Sequence, residues 1–143
     1  MKLVASLLSL ALARLEKQIF NSGAYTLYGY DNRSRTTSLT HKKSDNSTIS
    51  AETYQYDAAS NLTQKTVDNV ITSYTYDEID QLLSEGKSGY AGSYTYDGNG
   101  NRLTKTLGGT TETYSYSDSD ELVDIKVGGT TVKSFGYDAA GRT

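Results

Sequence analysis

The sequence predicts an all-β chain built of antiparallel β-hairpin repeats that pair into an open, twisted sheet, with a short N-terminal helix in front. Three observations lead there. Tyr-x-Tyr-Asp recurs with its second Tyr at 30, 56, 76, 96, 116 and 137, so the spacings are 26, 20, 20, 20 and 21. A fixed period in the twenties marks a repeat architecture. Each period carries two turn signals in constant register, and the residues between them alternate as strands do.

The first residues stand apart. Lys2 is followed by an uncharged run from Leu3 to Ala13 that closes on Ala11-x-Ala13. A basic start, a short apolar run and a small-x-small ending make the layout of a secretory signal. The run is too short to span a membrane as a helix. Leu8, Leu12, Leu15 and Ile19 also fall on one helical face, so a helix through about Phe20 is the competing reading. A third reading places the true start upstream, with the chain a piece of a longer protein. Residues 1–23 are accordingly expected to form an N-terminal apolar segment, signal peptide or helix, and residues 24–143 a β-repeat region.

Within the repeat region the motif copies are Tyr28–Asp31, Tyr54–Asp57, Tyr74–Asp77 and Tyr94–Asp97, with worn copies at Tyr114–Ser117 and Phe135–Asp138. A short polar segment follows each, as in Gly98-Asn99-Gly100-Asn101 and Ala139-Ala140-Gly141-Arg142. Gly, Asn and Asp tolerate left-handed backbone and cap turns with their own side chains. A second turn dipeptide lies twelve and thirteen residues after the second Tyr: Asp68-Asn69, Ser88-Gly89, Gly108-Gly109 and Gly128-Gly129. Between turns, Val123, Ile125 and Val127 alternate with Asp124 and Lys126, and Thr110–Tyr116 is rich in β-branched and aromatic residues. Residues two apart share a sheet face, so each Tyr pair (Tyr28 and Tyr30, Tyr54 and Tyr56, Tyr74 and Tyr76, Tyr94 and Tyr96, Tyr114 and Tyr116, Phe135 and Tyr137) is expected to contribute to an aromatic stripe. The 26-residue gap predicts a longer surface loop around His41–Asn46, and the 21-residue gap predicts a β-bulge. Six copies make about ten strands, enough for one open sheet.

Tyr-x-Tyr-Asp-x-x-Gly-Asn-Arg/Leu at this spacing resembles the YD repeat, also called the Rhs repeat. The resemblance covers Tyr28 to Thr143, and Tyr94–Leu103 matches the pattern throughout. Ser34, Ser60, Asp80 and Asp120 stand where the pattern has the Gly found at Gly100 and Gly141, and Ser117 replaces its Asp. In that family long β-sheets spiral into a hollow β-shell that encloses a toxic C-terminal polypeptide. Bacterial Rhs and wall-associated proteins, insecticidal toxin complexes and animal teneurins belong to it. The resemblance implies a structural segment of a secreted or cell-surface shell, with a bacterial source expected. The implied partners are flanking repeats of the parent chain and an enclosed C-terminal toxin; self-association is expected separately, because open sheet edges expose unpaired backbone groups.

The residues offer little chemistry. There is no Cys, and His41 is the single histidine, so neither a thiolate site nor a His cluster can be assembled. His41, beside Lys42 and Lys43, reads as a solvated loop residue. No Gly-x-Ser-x-Gly elbow is present. Asp97–Asn101 resembles the start of a calcium loop, but its twelfth position is Gly108 where a bidentate Glu is needed, so a plain turn is favoured. A net charge of −3 with acid and base interspersed argues against nucleic acid. No catalytic, metal or cofactor residue is expected. The alternative function is a carbohydrate- or partner-binding module using exposed Tyr residues, and burial of the Tyr pairs discriminates the two.

Overall fold

A computed structural model of the chain describes residues 14–138 and Gly141. Twelve strands occupy this stretch: β1 Lys17–Ile19, β2 Tyr25–Tyr30, β3 Thr36–Lys42, β4 Thr48–Tyr56, β5 Leu62–Val67, β6 Val70–Tyr76, β7 Leu82–Lys87, β8 Tyr90–Tyr96, β9 Arg102–Leu107, β10 Thr110–Tyr116, β11 Leu122–Val127 and β12 Thr130–Ser134. They hydrogen-bond in sequence order as one antiparallel sheet, a meander without crossovers. Contacts divide the chain into two compact units, Met1–Thr72 and Ser73–Thr143, described separately below.

In the first unit the expected helix is not found over its described part. Lys17–Ile19 is strand β1, paired Lys17 to Leu27 and Ile19 to Tyr25. The apolar positions that favour a helical face are outweighed by the backbone partners β2 supplies. The signal-or-helix reading of residues 1–13 lies outside the described residues. The expected loop at His41–Asn46 is also replaced. The extra residues lengthen β3 and β4 and leave only a tight turn in which the Lys43 N–H donates to the Ser47 carbonyl at 2.9 Å. Extending a hairpin satisfies every added backbone group, which a solvated loop would leave to water. His41 is consequently a half-buried strand residue, its Nδ1 2.9 Å from the hydroxyl of the buried Thr26.

In the second unit three hairpins repeat at the 20-residue period. Ser88-Gly89, Gly108-Gly109 and Gly128-Gly129 close β7–β8, β9–β10 and β11–β12 as expected. Both glycines of the last two turns have φ between 55° and 83°, the condition for a type I′ hairpin turn matched to strand twist. The first unit meets it at Asp68-Asn69 with side chains present, φ 46° and 70°.

The bulge expected near the 21-residue gap is present: the register of β11 with β12 shifts between Ile125 and Lys126, leaving Val132 as the extra residue. Bulges are also far more regular than expected. Opposite Tyr30, Tyr56, Tyr76, Tyr96 and Tyr116 the register slips by one, setting aside Thr37 and Thr63 in the first unit and Leu83, Leu103 and Val123 in the second. Twelve strands appear in place of about ten because β1 and β12 extend the meander at both ends.

Within each unit no second layer of described residues lies on the sheet. Tyr114, at 7% exposure, is the buried hydrophobic side chain and Thr26, at 2%, the buried polar one. Stability of such a sheet rests on cross-strand pairs, each contributing about 0.2–1 kcal/mol.

Candidate functional site: the tyrosine face and the aspartate turns

The aspartate of each motif builds the turn that follows it. In the second unit the Asp97 N–H donates to the Asn101 carbonyl at 2.9 Å and the Gly100 N–H returns to the Asp97 carbonyl at 3.1 Å. Asp97 Oδ1 accepts the N–H groups of Asn99 and Asn101, both at 2.9 Å, and Oδ2 accepts from the Asn101 amide at 3.1 Å. Asp77 takes the N–H groups of Ile79 and Gln81 in the same way. In the first unit Asp31 holds Arg33 and Arg35, and Asp57 holds Asn61. The worn copy keeps the design: Ser117 Oγ accepts from Ser119 and Glu121, at 3.3 Å each. Partial desolvation works against the charged form of Asp31, Asp57 and Asp97, yet the converging N–H donors outweigh it and hold each carboxyl below the ordinary range.

The fourth turn residue has positive φ whatever its identity: Ser34 66°, Ser60 82°, Asp80 66°, Gly100 90°, Asp120 60° and Gly141 72°. Departures from the glycine pattern therefore keep the turn and carry backbone strain instead. At the exposed Asp138 one bond of this pattern is present, the Gly141 N–H donating to its carbonyl at 2.9 Å.

The second Tyr of each pair works on the backbone. Its hydroxyl donates to a carbonyl at the start of an earlier strand, or at Leu15 just before β1: Tyr30 to Leu15 and Tyr56 to Thr36 in the first unit, Tyr96 to Leu82, Tyr116 to Arg102 and Tyr137 to Leu122 in the second, all at 2.8–3.0 Å. In β7–β8 the last register pair is Ser84 with Ser93, so Leu82 lies beyond the ladder and Tyr96 provides its carbonyl with a donor. Tyr76 is half-buried at the equivalent place.

The first Tyr of each pair faces a carboxylate or amide. Tyr54 donates to Glu52 at 2.5 Å, Tyr114 to Glu112 at 2.5 Å, Tyr94 to Glu85 at 2.6 Å and Tyr28 to Gln18 at 3.0 Å. Lys65 pairs with Glu52 at 3.1 Å and Lys105 with Glu112 at 3.2 Å. Glu52, Glu85 and Glu112 are held below the usual carboxylate range, chiefly by the tyrosine hydroxyls. Burial and then Glu52 push the Tyr54 hydroxyl up to about 12. Glu85, then burial, raises Tyr94, while burial first and then Glu112 raise Tyr114. Tyr74 is half-buried in register with Glu85. Phe135 has no hydroxyl to donate, and its ring instead lies 4.8 Å from the Lys133 ammonium.

These carboxylates were not singled out from the sequence. A signal existed in two copies, Glu52-x-Tyr54 and Glu112-x-Tyr114, since residues two apart share a face. In the fourth copy, Tyr94–Asp97, the position is Gly92, and Glu85, its cross-strand partner, supplies the carboxylate. Gly92 fits closely there: a Cβ would come 2.9 Å from Leu107 Cδ2 and 3.0 Å from Glu85 Cγ, so those side chains would have to shift to admit one.

The site binds the sheet to itself. The motif tyrosines are half-buried or buried, their hydroxyls largely engaged, and no group of three or more metal-ligating side chains occurs among the described residues.

Comparison with known proteins agrees with this arrangement. The family model described as teneurin YD-shell matches residues 10–143. A search of curated proteins returned no match. Among solved structures, the chain is similar to the TcdB2–TccC3–Cdc42 crystal structure, with a TM-score of 0.71, 16% identity, and coverage of 97% of this chain and 9% of that one. The TcdB2–TccC3–TEV structure gives a TM-score of 0.72 at 16% identity over 99% of this chain and 10% of that one. The chain thus spans about a tenth of the length of the structures it matches.

Proposed function

The chain belongs to the teneurin YD-shell family, and from that premise we propose that this shell segment serves in a secreted or cell-surface wall whose sheet continues through flanking repeats and which encloses a C-terminal toxic polypeptide. The observation that carries the reading is the commitment of the motif side chains. Tyr30, Tyr56, Tyr96, Tyr116 and Tyr137 donate their hydroxyls to the chain's own carbonyls, and the aspartates close their own turns. Groups so engaged serve a wall and not a reaction, so the segment itself performs no catalysis. The same engagement weighs against a carbohydrate being recognised through the hydroxyls of these tyrosines.

The place for flanking repeats is at the sheet edges. β1 and β12 end the strand order, and every residue of Thr130–Ser134 is exposed. An open edge is a row of backbone donors and acceptors ready to pair with another strand. Light scattering across a concentration series, combined with thermal melting, tests this. Association, or a melting midpoint that rises with concentration, is expected; a monomer melting cooperatively at every concentration overturns edge pairing. Enclosure is tested by limited proteolysis of the parent polypeptide in native buffer. A downstream segment protected until the shell is cut supports it, and immediate digestion of that segment counts against it.

A further inference from the structure

Adjacent aspartate turns are bridged differently in the two units. In the first, the Arg35 guanidinium bonds Asp31 through Nε at 2.6 Å and reaches across through Nη1 to the Asp57 carbonyl at 2.9 Å and the Ser60 hydroxyl at 3.2 Å. It lies 4.7 Å from the centroid of the Tyr56 ring. Arg33 reaches the Ala58 carbonyl at 2.6 Å. Two guanidinium groups thus fill the space between turn 31–35 and turn 57–61.

The matching turns of the second unit are 97–101 and 117–121, with Tyr116 in the place of Tyr56. Here Asn99 and Asn101 replace the two arginines, and Asp118 and Asp120 replace Ala58 and Ser60. Both amides are drawn to a single oxygen, Asp120 Oδ1, at 3.0 and 2.7 Å. The shorter side chains leave an open cleft of about 480 Å³ whose lining includes Asp97, Asn99, Leu103, Tyr116, Asp118 and Asp120, and no lysine or arginine. Tyr114 also lines the cleft, and the Arg102 guanidinium lies over that ring at 4.4 Å, leaving the Tyr116 ring without an arginine of its own among the described residues. The first unit carries as many cations as anions at these positions; the second carries Asp97, Asp118 and Asp120 with no lysine or arginine at the matching positions.

We propose that this cleft is a docking site for an arginine-bearing segment of a partner polypeptide, with two arginines two residues apart, as in Arg33-Ser34-Arg35. Two independent features select this occupant. The lining is acidic, and the same scaffold in the first unit already holds a guanidinium against the equivalent tyrosine and the equivalent turn. A guanidinium suits the place better than an ammonium, because its planar fork can stack on Tyr116 while bonding a carbonyl and Asp118 or Asp120. The partner completes in trans the bridge that Arg33 and Arg35 make in cis.

The test is an amide-shift titration of the full chain at physiological salt with the peptide acetyl-Asn-Arg-Ser-Arg-Thr-amide, alongside versions carrying two lysines or two glutamines. Saturable shifts at Asn99, Ser117 and Asp120 are expected with the arginine peptide, at least about tenfold weaker binding with the lysine peptide, and none with glutamine. Asp118→Ala with Asp120→Ser, which installs the residues of the first unit, should weaken binding by about tenfold or more. Asp45→Ser with Glu78→Ala removes equal charge elsewhere and should leave it unchanged. Should the first double variant fail to fold, Asn99→Arg with Asn101→Arg fills the cleft from within and must abolish binding while the chain melts no lower. No saturable binding, equal binding of the lysine peptide, or undiminished binding to the filled cleft overturns the proposal.

Discussion

The Tyr96 hydroxyl donates to the Leu82 carbonyl at 3.0 Å, just beyond the last register pair of the β7–β8 ladder, Ser84 with Ser93. The two-residue turn holds that hairpin at one end, and the tyrosine holds it at the other. With no second layer on the sheet within the unit, this bond stands where a core would otherwise hold the strands.

Removing the hydroxyl and removing the ring should therefore separate. Tyr96→Phe should cost about 1 kcal/mol, the net worth of one hydrogen bond whose acceptor is left without a donor. Tyr96→Ala should cost about 2–4 kcal/mol, the range for a large aromatic lost from a packed position. Tyr90→Ala, at an exposed tyrosine outside the motif pairs, should cost clearly less. Urea denaturation of the three variants checks this, and equal losses at Tyr96 and Tyr90 would remove the special role of the motif position.

The aspartate turns make an opposite pair of predictions. Ser117→Asp should raise the melting midpoint, because a carboxylate replaces a hydroxyl whose two bonds are both long, at 3.3 Å. Asp97→Ser should lower it by weakening the bonds to Asn99 and Asn101. Calorimetry of both variants decides the matter, and shifts of the same sign would mean that the carboxylate is not what closes the turn.

Strain at the fourth turn residue is open to a direct check. Ser34 has φ 66° with a side chain. A left-handed backbone costs a non-glycine residue about 1–2 kcal/mol, and glycine loses about 0.5–1 kcal/mol through its freer unfolded chain. Ser34→Gly should stabilise by up to about 1.5 kcal/mol, the upper end of the difference of the two. A loss of stability in chemical denaturation would show that the turn is not strained.

The tyrosine–carboxylate pairs set the pH response. Glu52, Glu85 and Glu112 have folded pKa values below the ordinary 4.5. Their contribution is present above that value and is lost as pH falls through the depressed folded values. Tyr54 runs the other way: raised from 10.0 to about 12, it contributes fully below pH 10 and loses that contribution between 10 and 12. Denaturation midpoints should fall at both extremes, and Glu112→Gln should flatten the acid limb. An unchanged acid limb in that variant would exclude the pair as its source.

The 20-residue period, the turn dipeptides and the alternation between them determined the strands, the turns and the common face of the tyrosines, since backbone preference and side-chain period are local properties. The His41–Asn46 insert and the Lys17–Ile19 segment were misread for the complementary reason: whether a polar insert loops out, or a short apolar segment coils, depends on the neighbouring strand that offers it hydrogen bonds. Only the tertiary structure decided the one-residue slip opposite Tyr30, Tyr56, Tyr76, Tyr96 and Tyr116, which sets each of them against its neighbours. It alone decided that Glu85 stands in from another strand where Gly92 has no side chain. It decided, too, whether arginines or asparagines bridge adjacent turns. Those are contacts between residues up to 25 apart, and a period in one chain says which residues recur, while register between strands says which of them touch.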